Sequence, residues 1–333
     1  MEKWDPKKLL EVSGGYWASF ALHAGVELDV FTLLDGESLT RAEVSKELTL
    51  SGRGAEAILN ALAAMGLLAK KDGRFQTAED AARYLSRSSK EYIGYMIRHH
   101  HYISKGWAEL PECVRTGVPA RDPGHRRAGE RELEAFEMGM FNNASPIAPK
   151  VAEVLPLPEK GSLLDLGGGP GTYAIHFCLR HPGLMATVFD LSQVRPFAEK
   201  TIGDFGLGAR IAFAEGDFNE DPLPAGFDAV WLSHILHGEG PSAASRLVAK
   251  ASASLKDGGV MLIHEFILDD RGDSPLHPAL FSLNMLVGTA EGKSYTGKEI
   301  EGFMRDAGIS GISLLDSIAL PNSRIMAGRK EAP

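Results

Sequence analysis

A chain of 333 residues with 44% hydrophobic content has material for two buried cores. Its net charge of −9 argues against a generic nucleic-acid binder, which needs a basic face to neutralise phosphates. No apolar run approaches a membrane span, and the start MEKWDPKKLLEVS lacks the continuous apolar core of a secretory signal. Cys113 and Cys178 lie too far apart to suggest a disulfide framework or a cysteine-rich zinc site, so a cytoplasmic protein with no membrane partner is expected.

The N-terminal half reads as helical almost throughout. A first helix is expected over Ser13–Asp29, and its Tyr16, Trp17, Phe20 and Leu22 make it too apolar to face solvent all round, so a partner subunit is the expected cover. From Leu39 the pattern is helix, turn, helix and then a two-stranded wing around Lys71-Asp72-Gly73-Arg74, with Thr40 and Ser51 as N-caps. That is the outline of a winged helix, but its second helix offers only Arg53, Glu56 and Asn60 among alanines and leucines, poor equipment for a DNA groove. The proline-rich stretch Pro146 to Lys160 divides the chain into a helical domain, 1–150, and a second domain, 151–333.

In the second domain short apolar runs alternate with helical spacing: Leu163–Leu166, Ala186–Phe189, Ile211–Phe213, Ala229–Ser233 and Val260–Phe266. Two further runs, Ile312–Ser317 and Arg324–Ala327, follow without a helix between them, so an α/β, doubly wound parallel sheet with a terminal antiparallel hairpin is expected. The first run enters LLDLGGGPG, where Gly167, Gly169 and Gly171 permit a tight turn and close approach of a ligand before a helix over Tyr173–Arg180. Thr172 stands where a dinucleotide fingerprint needs its third glycine. Asp165 before the turn suits a cationic ligand better than a pyrophosphate. Asp190 ends the next strand about 20 residues on, where a carboxylate takes ribose hydroxyls, and Asp217 follows the third, placing three acids along one sheet edge.

These motifs in this order resemble the class I S-adenosylmethionine-dependent methyltransferases, and more narrowly the bacterial relatives of plant caffeate and acetylserotonin O-methyltransferases, over nearly the whole chain. The resemblance implies S-adenosylmethionine as cofactor, held by Gly167, Gly169 and Gly171, by Asp190 and Leu191 at the ribose, by Asp217 and Phe218 at the adenine, and by Asp165 and Ser233 at neighbouring strand ends. It implies a homodimer formed through the N-terminal domain, which also closes the substrate pocket. FDAVWLSHILH is similar to the strand leading to the family's catalytic histidine, so His237 is implied as the general base that takes a proton from a hydroxyl on an aromatic or polycyclic acceptor. Glu265 matches the acid that orients it, and Met140, Phe141 and Asn143, with Phe281 and Met285, match acceptor-lining positions.

Two positions depart from the family pattern. Gly238 and Glu239 follow the base in place of Asp-Trp, and the second acid falls on Ser294. The basicity of His237 should then be lower, or another group such as Glu239 or Tyr295 compensates, and C-methylation or a non-methylating reaction on the same fold stays open, as does a winged-helix regulator with the cofactor as effector. His234, His237 and His264 could gather round an ion. Strand alternation, however, sets His264 and Glu265 on opposite faces, and no metal is expected.

Overall fold

Asp5 accepts a hydrogen bond from the Lys8 N–H at 2.8 Å and Pro6 occupies the first turn, so the N-terminal helix starts earlier than its apolar stripe. The single helix expected over Ser13–Asp29 is instead α1 (Pro6–Gly14), α2 (Tyr16–Glu27) and α3 (Val30–Leu33). The paired Gly14 and Gly15 mark the first break, and Asp29, in the left-handed region at φ 60°, makes the second. The computed structural model describes residues 3–121, 129–315, 318, 320 and 322–331. They fall into two units, Met1–Ser104 with Glu134–Asn142, and Lys105–Leu133 with Asn143–Pro333.

In the first unit β1 (Leu39–Thr40) leads to α4 (Arg41–Glu47), α5 (Gly52–Ala64), β2 (Leu68–Lys71), β3 (Arg74–Thr77) and α6 (Glu79–Leu85). Thr40 and Glu43 form a reciprocal capping box, and Ser51 accepts from the Gly54 N–H at 3.1 Å. Asp72 and Gly73, at φ 49° and 74°, form the two-residue turn that joins β2 to β3, and the strands pair in the order β1-β3-β2. Phe31, Leu34, Val44, Leu59, Leu62 and Phe75 fill the core of this unit. Trp4, Leu10, Tyr16, Trp17 and Phe20 stay exposed. α7 (Gly94–Trp107) carries the His99–His101 run.

Then come α8 (Leu110–Thr116), α9 (Glu130–Ala144) and α10 (Ala148–Val154), followed by β4 (Lys160–Leu166), α11 (Thr172–Arg180), β5 (Gly183–Asp190), α12 (Arg195–Asp204), β6 (Ile211–Glu215) and β7 (Phe227–Ser233). α13 (Pro241–Ser254), β8 (Leu255–Glu265), α14 (Leu276–Gly288), α15 (Gly297–Asp306), β9 (Ile309–Leu314) and β10 (Arg324–Lys330) complete the chain. The seven strands run β6-β5-β4-β7-β8-β10-β9, parallel as far as β8, with β10 antiparallel to both of its neighbours. The expected run Ile312–Ser317 shifts to Ile309–Leu314, and its Asp316 and Ser317 lie outside the described residues.

Strand alternation builds two separate cores. Leu163, Trp231 and Leu262 enter one face, while Leu164, Leu166, Val230, Leu232, Met261 and Ile263 enter the other. A sheet buried on both faces reads as continuous apolar runs, and that is how these strands appear in the sequence. The same alternation carries into the last two residues of β8, sending His264 and Glu265 to opposite faces.

Candidate active site

The parallel strands deliver their C-terminal ends to one edge, where open α/β sheets place ligands. Gly167, Gly169 and Gly171 have φ of 64°, 53° and 73°, a region open to glycine and strained for most side chains. A Cβ on Gly167 would stand 2.7 Å from Ile235 Cγ2, with Phe218 next nearest, so glycine there is required by packing as well as by φ. Asp190 braces the turn: its carboxylate accepts from the Gly169 N–H at 2.8 Å and from the Leu191 N–H at 2.7 Å. Burial raises Asp190 above the usual carboxylate range; these two bonds oppose the shift and Asp217 adds to it.

Asp165 lies beneath the turn, 1% exposed, where it accepts from the Ala174 N–H of α11 at 3.2 Å and packs under Gly168. Burial pushes its carboxyl up to about 7 against the pull of that bond, and nearby Asp190 pushes the same way. Asp217 accepts from the Asn219 N–H at 2.9 Å, and beside it Phe218 is half-buried. Ser233 turns inward: its hydroxyl lies 3.0 Å from His264 Nδ1, so the structure gives it a role inside the sheet. His264 is fully buried, with Tyr173 OH at 3.3 Å from Nδ1 and Ser323 Oγ at 2.7 Å from Nε2.

On the other face of β8, Glu265 Oε2 accepts from His237 Nδ1 at 2.8 Å. Glu265 is 2% exposed, and its oxygens also accept from the backbone N–H groups of Leu236 at 2.8 Å, His237 at 3.3 Å and Phe266 at 3.2 Å. Burial alone would raise this carboxyl. His237 first, then His234 at 3.8 Å, hold it well below the usual range, so it is ionised. A short 3-10 turn, Leu236–Gly238, sets His237 over Phe281, ring centroids 4.8 Å apart, and over Phe266 at 6.0 Å. A carboxylate-oriented imidazole flanked by two aromatic rings is equipped to take a proton from a flat, apolar substrate.

Neither expected compensation reaches the dyad. Tyr295 OH donates to the Glu239 backbone oxygen at 2.6 Å, and the Glu239 carboxylate accepts from Asn219 at 3.0 Å. Ser294, at the place of the second acid, is buried and donates to the Pro278 carbonyl at 2.8 Å. His234, weighed in the sequence only as a companion of His237 and His264, lies beside Glu265 instead, its Nδ1 3.8 Å from Oε2. Met285 is buried on α14 and Phe281 half-buried, while Met140 and Phe141, both half-buried, lie on α9 in the first unit, and Asn143, exposed, falls in the second.

The strand-edge groups fit an adenosyl ligand. Asp190 keeps lone pairs for a diol beyond the two N–H groups it already serves, and Phe218 offers an aromatic face beside the turn.

An O-methyltransferase domain model matches residues 117–310 and an O-methyltransferase dimerisation domain model matches residues 10–88. The chain is 36% identical over 330 residues to a 3-hydroxy-5-methyl-1-naphthoate 3-O-methyltransferase of Streptomyces sahachiroi, covering 98% of this chain and 95% of that one. It is 33% identical to the tetracenomycin polyketide synthesis 8-O-methyl transferase TcmO of Streptomyces glaucescens, over 92% of each chain. The crystal structure of human N-acetylserotonin methyltransferase in complex with SAM superposes with a TM-score of 0.86 over all of both chains at 28% identity. With a sheet edge built for an adenosyl group and both family domains in place, the chain belongs to the S-adenosylmethionine-dependent O-methyltransferase family.

Proposed function

We propose that this enzyme methylates a phenolic hydroxyl on an aromatic or polycyclic small molecule, with His237 as general base and Glu265 as its positioning residue. The observation that carries the reading is the 2.8 Å contact between His237 and an ionised, buried Glu265, set against the rings of Phe266 and Phe281. The naphthoate relative supports an acceptor of this shape. S-adenosylmethionine, when bound, supplies a methyl group activated by its sulfonium. Asp190 and Leu191 would hold its ribose, Asp217 and Phe218 its adenine, and the Gly167–Gly171 turn the rest, with Asp165 bracing the turn and Ser233 supporting the strand end from within.

Glu265 fixes the imidazole so that Nδ1 carries the proton and Nε2 is free to accept one. As the acceptor hydroxyl loses its proton to Nε2, the carboxylate stabilises the positive charge that forms on His237. With Ser294 in place of a second acid, one carboxylate supports the base, which favours phenols over less acidic alcohols. Phe281 and Met285, with Met140, Phe141 and Asn143, are read as the acceptor's contacts.

We read residues 1–150 as the dimerising, pocket-closing domain on a winged-helix plan and 151–333 as the catalytic domain, in a cytoplasmic homodimer. Nucleic acid is not a partner in this reading: on α5, Glu56 pairs with Arg41 at 2.7 Å and Asn60 accepts from Lys70 at 2.8 Å, so two of its three polar groups are engaged within the chain. No described helix is long and apolar enough to cross a membrane, and both cysteines are free, as in a reducing compartment. The test is labelled methyl transfer to a panel of phenols and naphthols. His237→Ala is expected to lose transfer while keeping cofactor binding; a wild-type protein that binds cofactor but methylates no phenol, or a His237→Ala variant of full activity, would overturn the reading.

A further inference from the structure

His237 and Glu265 have a third neighbour that the proton transfer does not use. His234 sits at φ 56°, a left-handed conformation rare for residues with a side chain and tolerated best by Asn, Asp and His. The turn this makes in the backbone brings its imidazole to the face of β8 where Glu265 lies, with Nδ1 3.8 Å from Glu265 Oε2. That nitrogen is buried and makes no hydrogen bond among the described residues. His264, whose ring centroid is 4.3 Å from that of His234, has both nitrogens engaged with hydroxyls and is not available.

One donor atom each from His234, His237 and Glu265 therefore lies within 4.8 Å of the other two. Two imidazoles and one carboxylate are a donor set for divalent transition metals such as zinc. Zinc–ligand bonds of about 2.0–2.1 Å place tetrahedral neighbours roughly 3.3 Å apart. The 2.8 Å and 3.8 Å separations to Glu265 bracket that value, so small side-chain movements suffice. The His234 side chain is 24% exposed and gives the ion a way in, and the fourth position can hold water.

We propose that His234, His237 and Glu265 form a reversible binding site for a divalent transition metal of the zinc class, whose occupation inhibits the enzyme. The ion takes the lone pair of His237 Nδ1 and an oxygen of Glu265, and the imidazole proton moves to Nε2, so that atom can no longer accept the proton of the acceptor hydroxyl. The inhibitory consequence rests on the reading of His237 as general base; the binding site does not.

The experiment titrates zinc into the full-length, chelator-washed enzyme, read by competition with a zinc indicator dye, and in parallel follows methyl transfer to a phenol in the same zinc series. His234→Asn is the central variant, because Asn accepts the backbone conformation and removes one ligand. Wild type is expected to bind one zinc that His234→Asn binds at least about tenfold more weakly. Methyl transfer is expected to fall with zinc, to return with EDTA, and to become less zinc-sensitive in His234→Asn by the same factor, each protein being compared with its own metal-free rate. Glu265→Gln adds a second loss of affinity at a different ligand. Equal zinc affinity in wild type and His234→Asn overturns the proposal, since zinc then sits elsewhere, for example on the His99–His101 run. A His234-dependent zinc site that leaves methyl transfer untouched upholds the site and refutes His237 as the base.

Discussion

Replacing Glu265 with Gln is the sharpest test of the dyad because it changes charge and hydrogen bonding with little change in volume. Glu265 accepts four bonds, two at each oxygen: Leu236 N–H and His237 N–H at one, His237 Nδ1 and Phe266 N–H at the other. A glutamine can keep one pair. Placed with its oxygen toward Leu236, it points an NH2 at His237 Nδ1, and that bond then requires Nδ1 to accept, which moves the imidazole proton to Nε2 and blocks the atom that must take the acceptor's proton. Flipped, it keeps the tautomer but aims its NH2 at two backbone donors. In either orientation the imidazolium formed in the transition state loses its counter-charge. A hydrogen bond to a charged group contributes about 1.5–3 kcal/mol, and at its upper end this corresponds to roughly a hundredfold in rate. The tautomer penalty adds to it.

The expected result is a fall in kcat of about a hundredfold or more, with cofactor affinity unchanged, because Asp190 and the glycine turn keep their bonds. Initial rates against a phenolic acceptor, with calorimetric titration of S-adenosylmethionine into the same variant, separate the two effects. Glu265→Gln within threefold of wild type in kcat, at full cofactor binding, would refute the reasoning.

Three further outcomes are expected. Asp190→Ala removes the acceptor shared by Gly169 and Leu191 and should weaken S-adenosylmethionine binding by one to two orders of magnitude in calorimetry, at about 1.5–3 kcal/mol per charged contact. Asp165, whose pKa rises from 3.8 unfolded to about 7 folded, keeps its proton in the native state over a range where the unfolded chain has lost it. Its contribution to stability therefore falls as pH rises from about 4 to about 7, by on the order of 4 kcal/mol, and Asp165→Asn should flatten this part of the urea-denaturation profile, an unchanged slope counting against it. Charging the exposed aromatic face of α2 with Trp17→Glu and Phe20→Glu should convert dimer to monomer in light scattering, since each buried aromatic contributes about 1.5–3 kcal/mol; a dimer of undiminished affinity would place the interface elsewhere.

Much of this architecture is legible in the sequence because its physics is local. Glycines at alternate positions read as a turn, short apolar runs separated by helical spacing read as strands buried on both faces, and Thr40 and Ser51 cap helices by the chemistry of their own hydroxyls. What escaped depends on direction. Alternation shows that His264 and Glu265 part company; that Glu265 is the one to meet His237 is expected from the resemblance alone, because the contact is decided by the 3-10 turn after β7, whose sense local physics does not fix. Asp165 reads as a ligand-facing acid, yet the tight turn above folds it under Gly168. The break at Gly14–Gly15 was hidden by an apolar stripe that continues across it.

Ser294, where the resemblance would place a second acid, serves the site in another way. Its hydroxyl donates to the Pro278 carbonyl and its N–H to Ser282 Oγ, tying the segment before α15 to the first turns of α14. A carboxylate there, without a donor of its own, could not make the first of these bonds. The tie anchors the stretch of α14 that holds Phe281 against His237 and Phe266. Where the resemblance would place a second charge, Ser294 thus fixes an aromatic wall beside His237. On the proposed reading, a base with one carboxylate beside a rigid flat wall would favour acceptors that bring their own acidity and their own ring, which is why phenols head the panel of acceptors to be tested.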